Sequence, residues 1–238
     1  MAAAELISSD TVTTSTHGAV APAWHTALVL FVLLGFSVLG AHLQHLTAHG
    51  RSPDYLAVIA MEWVLVAFIW FGLSRRGIPM RDLVGGSWPH PAAFFRDLGI
   101  AVAFVLLVGG AVLNGLGYLL KATPPKAMHE LFPQTLIEMI LWVVMSWTAG
   151  FCEEVIFRGY LSRQFAAWTK SAIGGIVLQG IVFGLAHGYQ GWKLMSLIAF
   201  YGMCFGMLAR WRRSLRPGML AHGLQDTAGG LLARFLMH

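Results

Sequence analysis

Two adjacent glutamates, Glu153 and Glu154, lie at the end of a long apolar stretch, and Arg158 follows four residues after Glu154. Helical residues four apart share a face, so Glu154 and Arg158 are expected to pair, with the acid first in the favourable order. Glu153 lies about 100° further around the helix, which leaves its carboxylate free. A buried glutamate beside a second carboxylate can act as a general base near neutral pH.

A histidine in the next apolar segment could act together with Glu153. His187 ends a stretch that is otherwise apolar and includes Phe183. If the chain reverses near Lys170, antiparallel helices bring His187 level with Glu153, because the two residues are equally far from the turn. A glutamate and a histidine at one depth could activate a single water molecule.

The last apolar segment contains a second histidine, His222, with Asp226 four residues after it. An aspartate that accepts from one imidazole nitrogen would fix the orientation of the other. That second nitrogen could then donate a hydrogen bond to a developing oxyanion.

The composition indicates that these residues lie in a membrane protein. Charged residues make up 11% of the 238 residues and hydrophobic residues 57%, whereas soluble domains contain about 25% charged residues. A helix needs about 20 residues to cross a bilayer, and the alternation of period two that membrane barrels require is absent. We therefore predict an all-α polytopic membrane bundle of about seven transmembrane helices, within a range of six to eight. The predicted spans lie near residues 24–46, 54–73, 96–120, 134–157, 171–187, 194–209 and 217–236.

The chain is predicted to contain one transmembrane domain, residues 23–238, after a disordered tail at residues 1–22. This tail lacks the positive start of a cleaved signal peptide, so the first span is expected to be retained. The first three spans carry few polar residues beyond Glu62 and Asn114. The catalytic core is therefore expected within residues 134–236.

The basic residues cluster between the spans rather than along one face, which argues against nucleic-acid binding despite the net charge of +5. With the N-terminus in the cytoplasm, eleven lysines and arginines lie on or near the cytoplasmic side and five lie opposite. The positive-inside rule favours this orientation, and we predict a multi-pass protein of the cell membrane. The eleven residues are Arg75, Arg76, Arg81, Arg96, Arg158, Arg163, Lys170, Arg210, Arg212, Arg213 and Arg216.

Three motifs occur in order on the late helices: Glu-Glu-x-x-x-Arg, Phe-x-x-x-His and His-x-x-x-Asp. Together they resemble the CAAX protease and bacteriocin-processing family, also called the type II CAAX prenyl endopeptidase or Abi family. The resemblance covers roughly residues 134–236. It implies an intramembrane glutamic endopeptidase that needs no cofactor and acts on a peptide or protein substrate among membrane lipids. Some members of the family act on prenylated C-terminal CAAX motifs.

The resemblance also implies roles for the residues of the first two motifs. Glu153 and His187 would activate the attacking water. Glu154 and Arg158 would orient the site, while Phe183 would support the histidine by packing four residues before it.

The third motif departs from the pattern of the family. By the resemblance, His222 and Asp226 would line the oxyanion side of the site, but the last position is often Asn in the family. An ionised aspartate can only accept hydrogen bonds. The role expected for Asp226 is therefore to orient His222 rather than to donate to the oxyanion.

Three other functions use the same side chains differently. A membrane metalloprotease could bind zinc through them, but the helical His-Glu-x-x-His string is absent, so the metal-free reaction is preferred. A proton-coupled transporter would form a proton relay, although such proteins more often show repeated halves. A non-catalytic immunity or scaffolding protein is the third alternative. The candidate zinc ligands are Glu153, Glu154, His187, His222 and Asp226.

Overall fold

The computed structural model describes residues 18–43, 51–123 and 131–236. Residues 1–17 of the predicted tail and residues 44–46 of the first predicted span lie outside the described residues. All regular elements within the described ranges are helices, as the all-α prediction requires. They are α1 (Ala23–Leu43), α2 (Arg51–Ser74), α3 (Met80–Val84), α4 (Pro91–Leu120), α5 (Leu136–Thr169), α6 (Ala172–Ala186), α7 (Trp192–Arg212) and α8 (Arg216–Leu236).

The arrangement is that of a polytopic membrane helix bundle. Helices α2, α4, α5 and α7 are long and apolar enough to cross a bilayer, while Ala23–Leu39 of α1 and the whole of α6 are shorter apolar helices. A helix occupies each of the seven predicted spans, and α3 is a short addition between the second and third. Large apolar side chains such as Phe31, Trp70 and Leu106 face outward, as expected of a surface that contacts lipid.

Helix α5 is longer than the sequence predicts. It contains 34 residues, about 50 Å of helix, against a bilayer core of about 30 Å. Thr135 and Glu138 form a capping box at its start, which satisfies backbone N–H groups that would otherwise be unpaired. From Glu154 to Leu161 the helix takes the wider π form, a local change that is frequent at functional sites.

The chain reverses at Lys170, where the backbone is left-handed with φ of 54°. Helix α6 then runs antiparallel to α5. The rings of Phe157 and Phe183 meet edge to face at 4.9 Å between centroids, and these two residues are equally far from Lys170 in the sequence. The register is therefore the one that the sequence predicts for Glu153 and His187.

The start of α1 is attached to α5 by two buried polar contacts. The Gln164 amide accepts from the backbone N–H of Ala21 at 3.1 Å and donates to its carbonyl at 2.9 Å. His25 lies between the Tyr160 hydroxyl, 2.8 Å from Nδ1, and the Phe68 carbonyl, 3.0 Å from Nε2. Because the carbonyl only accepts, Nε2 carries the proton and Nδ1 accepts from the tyrosine.

At one end of the bundle, the buried carboxylate of Asp97 joins α4, α7 and α8. It lies 3.2 Å from Arg96, 3.2 Å from Arg212 and 3.6 Å from Arg216. Its second oxygen accepts from the Trp88 indole at 3.0 Å. These arginines belong to the set for which the sequence predicts a cytoplasmic location.

Helices α5 and α8 approach closely because glycine faces glycine. A Cβ atom at Gly150 would lie 2.8 Å from the backbone N of Gly223 and 2.9 Å from the carbonyl O of Met219. A Cβ atom at Gly218 would lie 2.7 Å from a carboxylate oxygen of Glu154. Small residues allow helix backbones to approach in this way in membrane bundles. The contact brings α8 directly against the glutamate pair.

Replacing Gly150 by alanine is expected to destabilise the protein by about 1–3 kcal/mol, because the added methyl meets backbone atoms that cannot move aside. Gly99→Ala on α4 is the matched control, since nothing lies within 4 Å of its Cβ position. SDS-induced unfolding of the purified proteins in micelles measures the stability of both variants against wild type. Equal unfolding midpoints for the two variants would contradict the close contact.

Candidate active site

The contact predicted between Glu154 and Arg158 is present and fully buried. Nη1 of the arginine lies 3.1 Å from Oε1 of the glutamate, and both side chains are 0% exposed. The guanidinium lies over the rings of Phe183 and Phe205, 4.3 Å and 4.8 Å from their centroids. Cation–π contacts on both sides partly replace the water that this charge has lost.

His222 on α8 contacts the same glutamate. Its Nδ1 lies 3.3 Å from Oε1 of Glu154, and because a carboxylate only accepts, Nδ1 carries a proton. The sequence leads us to expect Asp226 in this orienting position. The structure places Glu154 there instead, so the arginine, the glutamate and the histidine form one continuous chain of contacts.

The other nitrogen of His222 faces two carboxylates without a short contact to either. Nε2 lies 3.5 Å from Oε2 of Glu153 and 3.5 Å from Oδ2 of Asp226. Both distances exceed the usual 2.7–3.2 Å of an N–H···O hydrogen bond. In the imidazolium form, which these surrounding carboxylates favour, Nε2 carries a second proton that remains able to donate to another acceptor.

The two glutamates differ in exposure as well as in partners. The Glu153 side chain is 17% exposed, against 0% for Glu154, and its Oε2 atom has no hydrogen-bond partner. The Asp226 side chain, one helical turn beyond His222, is 37% exposed. Oε2 of Glu154 also lacks a hydrogen-bond partner among the described residues, so the pair differs in that Glu153 has no arginine beside it and keeps a path to the outside.

His187 lies at the C-terminal end of α6. Its Nδ1 donates to the carbonyl of Phe183 at 2.8 Å, so in the neutral ring Nε2 keeps its lone pair. The Phe183 ring lies 4.8 Å from the His187 ring and 6.1 Å from the His222 ring. The phenylalanine therefore separates the two histidines. His187 and Glu153 make no direct hydrogen bond to each other.

Two residues near the site, Tyr189 and Glu62, belong to none of the three sequence motifs. Tyr189 follows His187, with ring centroids 6.1 Å apart, and its hydroxyl accepts from Gln190 at 3.1 Å. Burial raises the pKa of the Tyr189 phenol, and the charges of Glu153 and Asp226 raise it further, so the phenol stays neutral. Glu62 on α2 also interacts electrostatically with this cluster. The only feature of the sequence that could have indicated a role for Glu62 is its position as an isolated acid in an apolar span.

Within the part of the chain that the structure describes, no group of three or more His, Cys, Asp or Glu side chains is arranged to hold a metal ion.

Residues 135–228 match the model of a protein family described as type II CAAX prenyl endopeptidase, Rce1-like. The matched segment runs from the capping threonine of α5 into α8 and includes all three motifs. No curated protein and no solved structure gives a significant match to the chain. Residues 135–228 are thus similar to the Rce1-like type II CAAX prenyl endopeptidases, a similarity that points to a peptidase, and the long apolar helices point to a membrane protein.

Proposed function

We propose that the chain is an intramembrane glutamic endopeptidase in which Glu153 and His187 activate a water molecule for attack on a peptide bond. The observation that supports the proposal is the partial exposure of the Glu153 side chain, 17%, beside a second glutamate that is fully buried and that Arg158 neutralises at 3.1 Å. One carboxylate is used for structure, and the other remains available as a base.

The first step needs a base that can reach water. The free oxygen of Glu153 and the lone pair of His187 Nε2 can each accept a hydrogen bond from a water between them. Glu153 then takes one proton while the water oxygen attacks the carbonyl carbon. General-base assistance of this kind contributes about 10²–10⁴-fold to a rate.

The second step places negative charge on the carbonyl oxygen. As an imidazolium, His222 donates to it from Nε2, which makes no short hydrogen bond to Glu153 or Asp226. Asp226 holds the ring by charge from the same side, and Glu154 holds Nδ1. The proton on Glu153 then passes to the leaving nitrogen, the C–N bond breaks, and an acid and an amine are released.

The proposed substrate is a peptide or protein held at the membrane, with a CAAX-like C-terminus or a membrane-embedded segment. The family description supports the first choice. We also propose that the N-terminus is cytoplasmic and that the protein lies in the cell membrane. The meeting of Arg96, Arg212 and Arg216 at Asp97 on one end of the bundle supports this orientation.

Glu153→Gln is expected to lower kcat about 10²–10⁴-fold, because the amide cannot take the proton. Glu138→Gln is the matched control, because this acid lies on the same helix but in the capping box. Purified proteins are assayed on two fluorogenic peptides that share one CAAX sequence, one prenylated and one unprenylated. Full activity in Glu153→Gln would refute the proposal.

A separate experiment addresses the natural substrate. Membrane peptides that accumulate uncleaved in cells expressing Glu153→Ala, compared with wild type, would identify it.

His222→Gln is expected to lower kcat about 10²–10³-fold, the usual cost of losing one oxyanion donor. Asp226→Asn is expected to remain within about tenfold of wild type, because its amide oxygen still accepts and its NH₂ group can donate. The ratio of the two kcat values, measured at matched thermal stability, checks the assignment. An Asp226→Asn variant as inactive as His222→Gln would contradict it.

Cleavage is expected to be insensitive to 1,10-phenanthroline and EDTA, since the proposed base is a carboxylate and not a metal-bound hydroxide. The measurement compares chelated protein with untreated protein on the same peptide, with and without added zinc. Activity that disappears with chelator and returns only with zinc would favour the metalloprotease alternative.

A further inference from the structure

Glu62 lies in the middle of α2, outside the segment that matches the family, and is only 4% exposed. Helix α2 packs along α5 at the level of the glutamate pair. The ring of Trp63 stacks on that of Phe151 at 5.5 Å, and Leu65 belongs to the same apolar core as Cys152. This packing directs Glu62 toward the part of α5 that carries Glu153.

The buried acids of the described residues differ in their partners. Asp97 contacts three arginines, Glu138 lies 3.8 Å from Arg51, and Glu154 lies 3.1 Å from Arg158. Within the described ranges, no arginine or lysine lies in such a position beside Glu62. The charged groups that interact electrostatically with Glu62 are Glu153, His222 and Asp226. Glu62 also interacts electrostatically with the thiol of Cys152.

Among the described residues, Glu62 and Glu153 each have a buried Oε2 atom without a hydrogen-bond partner; Glu154 has one too, but Arg158 neutralises that carboxylate. Two neighbouring carboxylates in an apolar setting cannot both be ionised at low cost. A carboxyl group that keeps its proton becomes a donor, and one such donor would satisfy the free oxygen of the other carboxylate. The two unpaired oxygens therefore have a common explanation.

We propose that Glu62 is a positioning residue of the hydrolytic site, whose neutral carboxyl donates a hydrogen bond to Glu153, directly or through one water. The inference rests on the proposed function, in which Glu153 is the base. Glu62 orients that base, and it takes no part in bond cleavage itself. A helix outside the matched segment thus completes the site.

Infrared difference spectra of the intact protein in micelles test the shared proton without any substrate. Wild type minus Glu62→Gln should show a carboxylic-acid C=O band at neutral pH. Wild type minus Glu138→Gln should lack one, because that carboxylate accepts from two backbone N–H groups near Arg51. In Glu153→Gln the Glu62 band should shift or vanish, because its acceptor has changed. Absence of an acid band for Glu62, or a band that Glu153→Gln leaves unchanged, would overturn the proposal.

Activity supplies the second measurement. Glu62→Leu removes the donor and is expected to lower kcat about 10- to 100-fold with little change in KM, as for other groups that orient a reactive side chain. Glu62→Gln keeps a donor and should retain more activity. Wild-type kcat in a folded Glu62→Leu protein would refute the role, and if this variant does not fold, the Glu62→Gln spectrum decides.

The two proposals fail separately. If Glu153→Gln is inactive while the Glu62 variants have wild-type kcat and no acid band, only the role of Glu62 is wrong. If Glu153→Gln stays active, the proposed hydrolysis is wrong, and the infrared bands still report whether the two carboxyls are paired.

Discussion

The buried contact between Arg158 and Glu154 is the interaction on which the rest of the site depends. A guanidinium without water is costly to bury, so the structure surrounds it with a carboxylate and two aromatic rings. One of those rings, Phe183, also touches His187, and the carboxylate also holds His222. Neutralising one buried charge therefore fixes the positions of residues on three helices. Loss of one partner would leave the other charge unpaired, the most expensive outcome in a buried pair.

This arrangement requires α8 to lie unusually close to α5. Gly150 and Gly218 remove the side chains that would otherwise separate the two helices, and a carboxylate oxygen of Glu154 occupies the space over Gly218. The π-helical turn that begins at Glu154 lies at the same level. Close backbone packing and a local change of helix geometry together allow two adjacent glutamates to serve different purposes, with one locked in place and the other open.

The distribution of charge separates structural acids from functional ones. Asp97, which three arginines surround, is fully compensated and ties helix ends together. Among the described residues, neither Glu153 nor Glu62 pairs with an arginine or lysine, and the cation beside Glu153 is His222, at 3.5 Å. Uncompensated acids within a membrane bundle are expensive to retain, which is why they mark functional sites.

The sequence by itself determined the helical membrane class, the approximate spans, the reversal at Lys170 and the pairing of Glu154 with Arg158. Composition and short-range helical spacing suffice for these features, since each depends on residues close together in the chain. Only the tertiary structure decided that Glu154 rather than Asp226 holds Nδ1 of His222, and that α2, which carries Glu62, packs on α5 through Trp63 and Phe151. Both contacts join helices far apart in the sequence. They depend on how closely and at what rotation the helices pack, which no local pattern specifies.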